Sequence, residues 1–245
     1  MVILRIIKRI LLYTTKYISF LINFFYKREL VKDNRFTCYW NDRLACLNDK
    51  TDTTGFDAHY IYHIAWAVRR ILEFSPKKHI DIGSSLYFIT TISAYIPTVF
   101  YDFRPAQIKL NNLKTKRGNL LSLDFPDNSI ESLSCMHVLE HIGLERYGDP
   151  FAPQGDLKAI SELKRVIKPG GKLFIVVPMG EIDRIQYNAH RIYSYHSFIR
   201  NFNGFSINNF SFITDSGDFI EFACPKDTHN QRYGCGCFEL TKIYL

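Results

Sequence analysis

The sequence predicts an α/β protein built on a mostly parallel sheet with helices on both faces. Short apolar or β-branched runs ("KHIDIGSS", "TVFYDF", "IESLSCM", "KLFIVVP") alternate with stretches of helical periodicity, the pattern of strand–helix–strand units. At 245 residues the chain has room for one such domain with a full core and a modest appendage. Hydrophobic residues make up 47% and aromatic residues 15% of it, a composition suited to a packed body.

Residues 1–30, "MVILRIIKRILLYTTKYISFLINFFYKREL", read as an amphipathic helix. Polar residues recur at helical spacing (Arg5, Lys8, Arg9, Thr15, Lys16, Ser19, Asn23, Lys27) opposite a broad face of Ile, Leu, Phe and Tyr. A spanning helix needs roughly 20 apolar residues, and the charge-free stretch from Tyr17 to Tyr26 has ten. No small-residue cleavage site follows. The expectation is a helix lying in the interface of an anionic membrane, with its cations marking the cytoplasmic, inner face. Packing against the domain or a partner subunit is the alternative.

Residues 31–58 are polar and irregular, a linker or entry segment, and the main domain is placed at 59–245. Within it "HYIYHIAWAVRRILEF" (59–74) is a helix ending before Pro76, crossing the sheet. The strand "KHIDIGSS" turns at Gly83 into a helix from Ser85 to Tyr95. The strand "TVFYDF" ends on Asp102, and "IESLSCM" alternates as a strand leading to His137. "DLKAISELKRVI" is an amphipathic helix capped by Asp156 and stopped by "KPGG" before the strand "KLFIVVP". Two late strands, "FSINNFSFIT" and "CFELTKIYL", are expected to pair as a closing hairpin.

The formal charge is +7, but +5 of it lies in residues 1–30 and only +2 in the other 215. The body therefore offers no basic surface for a phosphate backbone, and no nucleic-acid partner is expected. Six cysteines (Cys38, Cys46, Cys135, Cys224, Cys235, Cys237) include no CxxC pair and read as reduced thiols.

Ligands of parallel sheets bind beyond the carboxyl ends of the strands. Asp81 ends the first strand, Gly83 gives a tight turn, and Ser84 and Ser85 open a helix whose amino terminus faces a ligand. Asp102, 19 residues beyond Gly83, is placed to accept from a ribose diol. Together with "DFPDNSIESLSCMHVLEHI" and "ELKRVIKPGGKLFIVVP", these features resemble the class I S-adenosylmethionine-dependent methyltransferases over residues 79–178. "HIDIGSS", "YDFRP", "EHIGLERYGDP", "VVPMG" and "NAHRIYS" are similar more narrowly to the family catalogued as domain of unknown function 268, over residues 55–240.

The resemblance implies a Rossmann-like methyltransferase sandwich of seven strands, mostly parallel, with an antiparallel closing strand. It implies S-adenosylmethionine as cofactor, bound by Asp81, Gly83, Ser84, Ser85, Asp102, Asn119, Leu120 and His137. Three departures stand out. Ser85 and Tyr87 replace the second and third glycines of the loop, Asn119 stands where many such enzymes carry an acid, and Glu145 stands where relatives commonly have glycine.

His137, Glu140 and His141 also form His-x-x-E-His, a zinc-enzyme pattern on a continuous helix. Gly143 follows too soon for a long helix, so no metal is expected. Glu140, His141, Arg146, Tyr147 and Asp149, with Asn188, His190 and Arg191 of "NAHR", are the candidate catalytic groups. The two arginines would hold a carboxylate or phosphate, and His141 or His190 would take a proton. Braces for a structural loop are the bland alternative for Arg146 and Asp149. The activity expected is methyl transfer to a sugar of a surface glycan or lipid-linked intermediate. Cofactor-independent chemistry on an acidic sugar and a catalytically silent membrane-bound partner of a glycan enzyme complex are the alternatives.

Overall fold

A computed structural model describes residues 2–30 and 36–244 and divides the chain into two compact units, Met1–Phe56 and Asp57–Leu245. In the first unit α1 (Val2–Leu30) is followed by a 3-10 turn, Trp40–Asp42. Phe24 and Phe25 pack on the Trp40 ring at 5.2 and 5.3 Å, and Lys16 Nζ donates to Asn48 Oδ1 at 2.9 Å. Ile3, Ile7, Ile10, Leu11, Ile18 and Ile22 stay exposed. Among the described residues no helix is long and apolar enough to cross a membrane. Residues 31–35 of the expected linker lie outside the described residues.

In the second unit α2 (Ala58–Phe74) starts at Asp57, whose carboxylate accepts from Tyr60 N, and stops at Ser75 in the left-handed region (φ 51°) ahead of Pro76. The chain continues as β1 (His79–Ile82), α3 (Leu86–Ser93), β2 (Thr98–Asp102), β3 (Leu113–Arg117), β4 (Ile130–Met136), α4 (Gly155–Val166), β5 (Ile167–Met179), β6 (Arg184–Gln186), β7 (His190–Ile192), α5 (Tyr195–Ile199), β8 (Phe205–Ile213), β9 (Phe219–Ile220) and β10 (Gly234–Lys242). The main sheet runs β3-β2-β1-β4-β5-β10-β8-β9. The first five strands are parallel, and β10 is antiparallel to both β5 and β8. The described sheet thus has eight strands, the two-residue β9 adding an edge to the expected seven.

Alternation along β5 sorts the core onto two faces. Leu173, Ile175, Val177 and Met179 meet the apolar sides of α4 and α5, while Phe174 and Val176 meet Trp66 and Ile71 of α2 and Ile89 of α3. The late strands do pair, although β9 and a 3-10 turn at Pro225–Thr228 intervene between them.

Two details correct the sequence reading. Asp156 is not a cap: the helix starts at Gly155, and the buried Asp156 carboxylate accepts from Tyr193 Oη at 3.0 Å. "KPGG" does not separate helix from strand, because α4 ends at Val166 and β5 begins with the next residue. Its second glycine serves close strand approach, since a Cβ on Gly171 would come 2.9 Å from Ile130 O.

Candidate active site

Two clefts open at the carboxyl ends of the parallel strands. The first lies beyond β1 and β2. Gly83 has φ +70°, and a Cβ there would press on Val138 at 3.1 Å and come 3.8 Å from Asp102 Oδ2. Glycine is therefore favoured by the positive φ, and a side chain would also have to push the Val138 methyls aside. Ser85 caps α3 by accepting from Phe88 N at 3.2 Å, so the amino end of that helix faces a cavity of about 450 Å³. Ser84, Ser85, Leu86, Phe100, Asp102 and Arg104 line it. Asp102 Oδ1 accepts from Arg104 N at 2.6 Å. Asn119, exposed, lines a neighbouring cavity of about 540 Å³ with Tyr101, Gly118 and Phe125.

Asp81 does not reach the cleft. It is fully buried and accepts from Ser84 N at 3.0 Å and from the Ser134 hydroxyl, so it holds the loop rather than lining the cavity. Burial raises its pKa to about 7, against the lowering effect of those hydrogen bonds. The Leu120 side chain packs into the core, which leaves only its backbone for a ligand.

The second cleft, about 410 Å³, lies beyond β4 and β5 and is lined by Asp57, His59, Tyr60, His137, Glu140, His141, Arg146, Tyr147, His190 and Tyr233. His137, the residue after β4, has φ +56°, and only a single 3-10 turn, Leu139–His141, follows. The two histidines of His-x-x-E-His therefore do not share a helical face. His137 Nδ1 donates to Glu140 Oε1 at 3.0 Å, and His141 Nδ1 donates to Ala189 O at 2.8 Å. His137 thus lines the second cleft and not the first, where cofactor binding was expected of it.

Glu140 is buried, with Oε2 unpartnered, and burial pushes its pKa up to about 7. His190 is buried, stacks on Tyr233 at 5.2 Å, and has no partner for Nε2. Burial, and then the Arg146 charge, lower its pKa. His141 is lowered mainly by burial, against the raising effect of Glu140. Tyr147 stands edge-on to His141 at 5.3 Å, and Arg146 donates to Ala189 O at 3.0 Å while lying over the Tyr147 ring.

Two expected catalytic groups, Asp149 and Arg191, do not line the second cleft. Asp149 accepts from Gly143 N at 2.7 Å and Tyr147 N at 3.3 Å, bracing the loop. Arg191, buried, donates to Ile142 O at 2.8 Å and Pro153 O at 3.0 Å. Because successive residues of β7 point to opposite faces, His190 faces the cleft while Arg191 and Arg146 never converge. Asn188 and Glu145 both adopt positive φ, 56° and 59°. At Glu145 this is the conformation for which glycine is best suited. Asp57, His59, Tyr60 and Tyr233 were not expected at the site.

Sheet order and the placement of the first cleft define the class I S-adenosylmethionine-dependent methyltransferase-like fold. The N-methyltransferase NodS from Bradyrhizobium japonicum, solved with S-adenosyl-L-homocysteine, matches with a TM-score of 0.54 over 76% of this chain and 88% of that one, at 9% identity. Within that fold the chain belongs to the family described as "Caenorhabditis protein of unknown function, DUF268", whose model matches residues 108–233, just over half of the sequence. Uncharacterized protein MJ0638 of Methanocaldococcus jannaschii is 29% identical over 100 residues, 40% of this chain and 39% of its own. Uncharacterized methyltransferase C1B3.06c of Schizosaccharomyces pombe is 40% identical over 63 residues, 26% of this chain and 19% of its own. The matched region thus spans well under half the length of either curated relative.

Proposed function

We propose that the protein is an S-adenosylmethionine-dependent methyltransferase whose cofactor lies in the cleft at Gly83, Ser85 and Asp102. The observation that carries this reading is a positive-φ glycine turn leading to a cavity that Asp102 lines at the amino end of α3. These residues fit the group: Asp102 Oδ2 accepts a ribose hydroxyl, and Asn119 hydrogen-bonds a base at the neighbouring cavity. Positive φ and the absent side chain at Gly83 let backbone approach the ligand. When bound, S-adenosylmethionine supplies an electrophilic methyl group on sulfonium sulfur.

The second cleft holds the acceptor. His190, neutral because burial lowers its pKa, lines this cleft; its unpartnered Nε2 is buried, so the ring turns toward the cleft to take the proton of an acceptor hydroxyl. Tyr60, Tyr147 and Tyr233 give the cleft aromatic walls, and Arg146 sits at its mouth. Positioning supplies most of the remaining rate, as in other bimolecular transfers between held partners.

The finer reading is a sugar acceptor carried on a lipid or surface glycan. What supports it is the polar, aromatic-walled cleft together with the exposed apolar side chains of α1, interleaved with Lys8, Arg9 and Lys16. In this reading α1 adsorbs to an anionic membrane from the cytoplasmic side. Full-chain protein carrying Lys8→Glu, Arg9→Glu and Lys16→Glu should then lose flotation with phosphatidylserine vesicles.

A second reading, cofactor-independent acid–base chemistry in the same cleft, is favoured by Glu140, which keeps one buried oxygen free beside His141. Calorimetric titration of the full chain with S-adenosylmethionine and S-adenosylhomocysteine separates the two. Micromolar binding that Asp102→Ala abolishes supports methyl transfer; no binding by folded protein removes it and leaves the second reading.

A further inference from the structure

We propose that His59, His137 and Cys235 form a binding site for a borderline-soft divalent metal, zinc being the best match, on the wall of the second cleft. The proposal stands apart from methyl transfer and holds or fails without it. Three separate elements bring the donors together: His59 from the first turn of α2, His137 directly after β4, and Cys235 from the start of β10. One ligand atom from each lies within 4.8 Å of the other two.

The distances are close to those of a preformed site. Zinc bonds of about 2.0–2.1 Å to nitrogen and about 2.3 Å to sulfur put tetrahedral donors roughly 3.3–3.7 Å apart. His137 Nε2 already lies 3.5 Å from Cys235 Sγ. The His59 ring lies parallel to His137, 4° between planes, with centroids 6.1 Å apart, and a side-chain rotation moving its donor about 1 Å completes the triangle.

The tautomer is also set for ligation. His137 Nδ1–H donates to Glu140 Oε1, so Nε2 carries the lone pair and directs it toward the thiol. A carboxylate behind a ligating histidine is the usual support of a zinc-bound imidazole. The left-handed backbone at His137 (φ +56°) is uncommon for a residue with a side chain, and here it turns the ring toward Cys235. Binding releases the Cys235 thiol proton to solvent, and the thiolate becomes a ligand. Since His59 and His137 both line the cleft, the fourth coordination position faces it, open to water or to an acceptor's oxygen. The site therefore uses one histidine of His-x-x-E-His, with partners from other parts of the chain.

The test is a titration of chelator-treated full chain with Co²⁺, followed by Zn²⁺ competition. The expected result is one equivalent bound, visible absorption of tetrahedral cobalt, a near-ultraviolet thiolate-to-metal charge-transfer band, and displacement by one equivalent of Zn²⁺. Cys235→Ser should abolish the charge-transfer band, and His59→Gln should weaken affinity at least tenfold. Cys224→Ser, at an exposed cysteine, should change nothing. His59 is only half-buried near the start of its helix, so His59→Gln, checked by circular dichroism, decides the matter even if Cys235→Ser does not fold. No cobalt binding by folded protein, a charge-transfer band surviving in Cys235→Ser, or unchanged affinity in His59→Gln overturns the proposal.

Discussion

Replacing Asp81 by asparagine should make the protein more stable at alkaline pH and leave it little changed in acid. Asp81 is fully buried, and its pKa rises from 3.8 to about 7. Its neighbours form a chain: Ser134 Oγ meets both Asp81 Oδ2 and His79 Nε2, and His79 Nδ1 meets Ser132 Oγ at 2.8 Å. Ionised Asp81 accepts from Ser134, which accepts from His79. Protonated Asp81 donates, and the chain runs the other way with the other His79 tautomer, so both states are satisfied and burial alone penalises the charge. Between pH 3.8 and 7 the folded state holds a proton that the unfolded chain has lost, and stability from this group falls by about 1.4 kcal/mol per pH unit. That contribution is fully present below 3.8 and gone above 7. An asparagine carries no charge at either pH. The stability of Asp81→Asn relative to wild type should therefore rise by about 3 kcal/mol from pH 5 to pH 8, measured by urea unfolding of both proteins. A difference that stays constant, or shrinks as pH rises, would refute the burial argument.

Three further substitutions probe the clefts and the sheet. Gly83→Ala should weaken S-adenosylhomocysteine binding at least tenfold by calorimetry, because its Cβ meets both Val138 methyls within 3.2 Å at a positive φ; unchanged affinity would mean that the loop is not the cofactor cradle. His190→Gln should leave cofactor affinity unchanged and lower turnover by about 100-fold or more, measured once an acceptor is in hand, whereas a loss of affinity with intact turnover would move His190 out of the proton-transfer role. Glu239 is fully buried and pairs with Arg70 at 2.6 Å and with Lys172. Since the two cations keep 23% and 21% side-chain exposure and can rehydrate, Glu239→Ala should destabilise by roughly 2–4 kcal/mol in thermal or urea unfolding.

Four of the five parallel strands were legible because β1, β2, β4 and β5 each carry a β-branched or apolar run and turns such as Asp81-Ile-Gly83 and Ser85 their own chemistry, whereas the edge strand β3, LKTKR, has a single apolar residue and gave no such signal. Asp102 was legible for the same local reason: it ends a strand. Asp149 and Arg191 were not, because their partners are backbone groups, Gly143 N, Ile142 O and Pro153 O, that only tertiary folding brings near. His59 and Tyr60 sit in a stretch whose periodicity announces a helix, but not where its first turn docks. The meeting of His137 with Cys235 joins residues 98 positions apart, through β10 entering beside β5. The spacing of His137 and His141 suggested a shared helical face, and the left-handed backbone at His137 prevented it.

The central claim, a cofactor cleft at β1 and β2 beside a separate acceptor cleft, is tested most directly by amide hydrogen exchange of the full chain with and without S-adenosylhomocysteine. The account predicts slowed exchange at residues 83–90 and 102–106, the loop, the start of α3 and the end of β2, with little change at residues 57–63 and 188–191. Protection confined to the second pair of segments, or absent from both at saturating ligand, would contradict it.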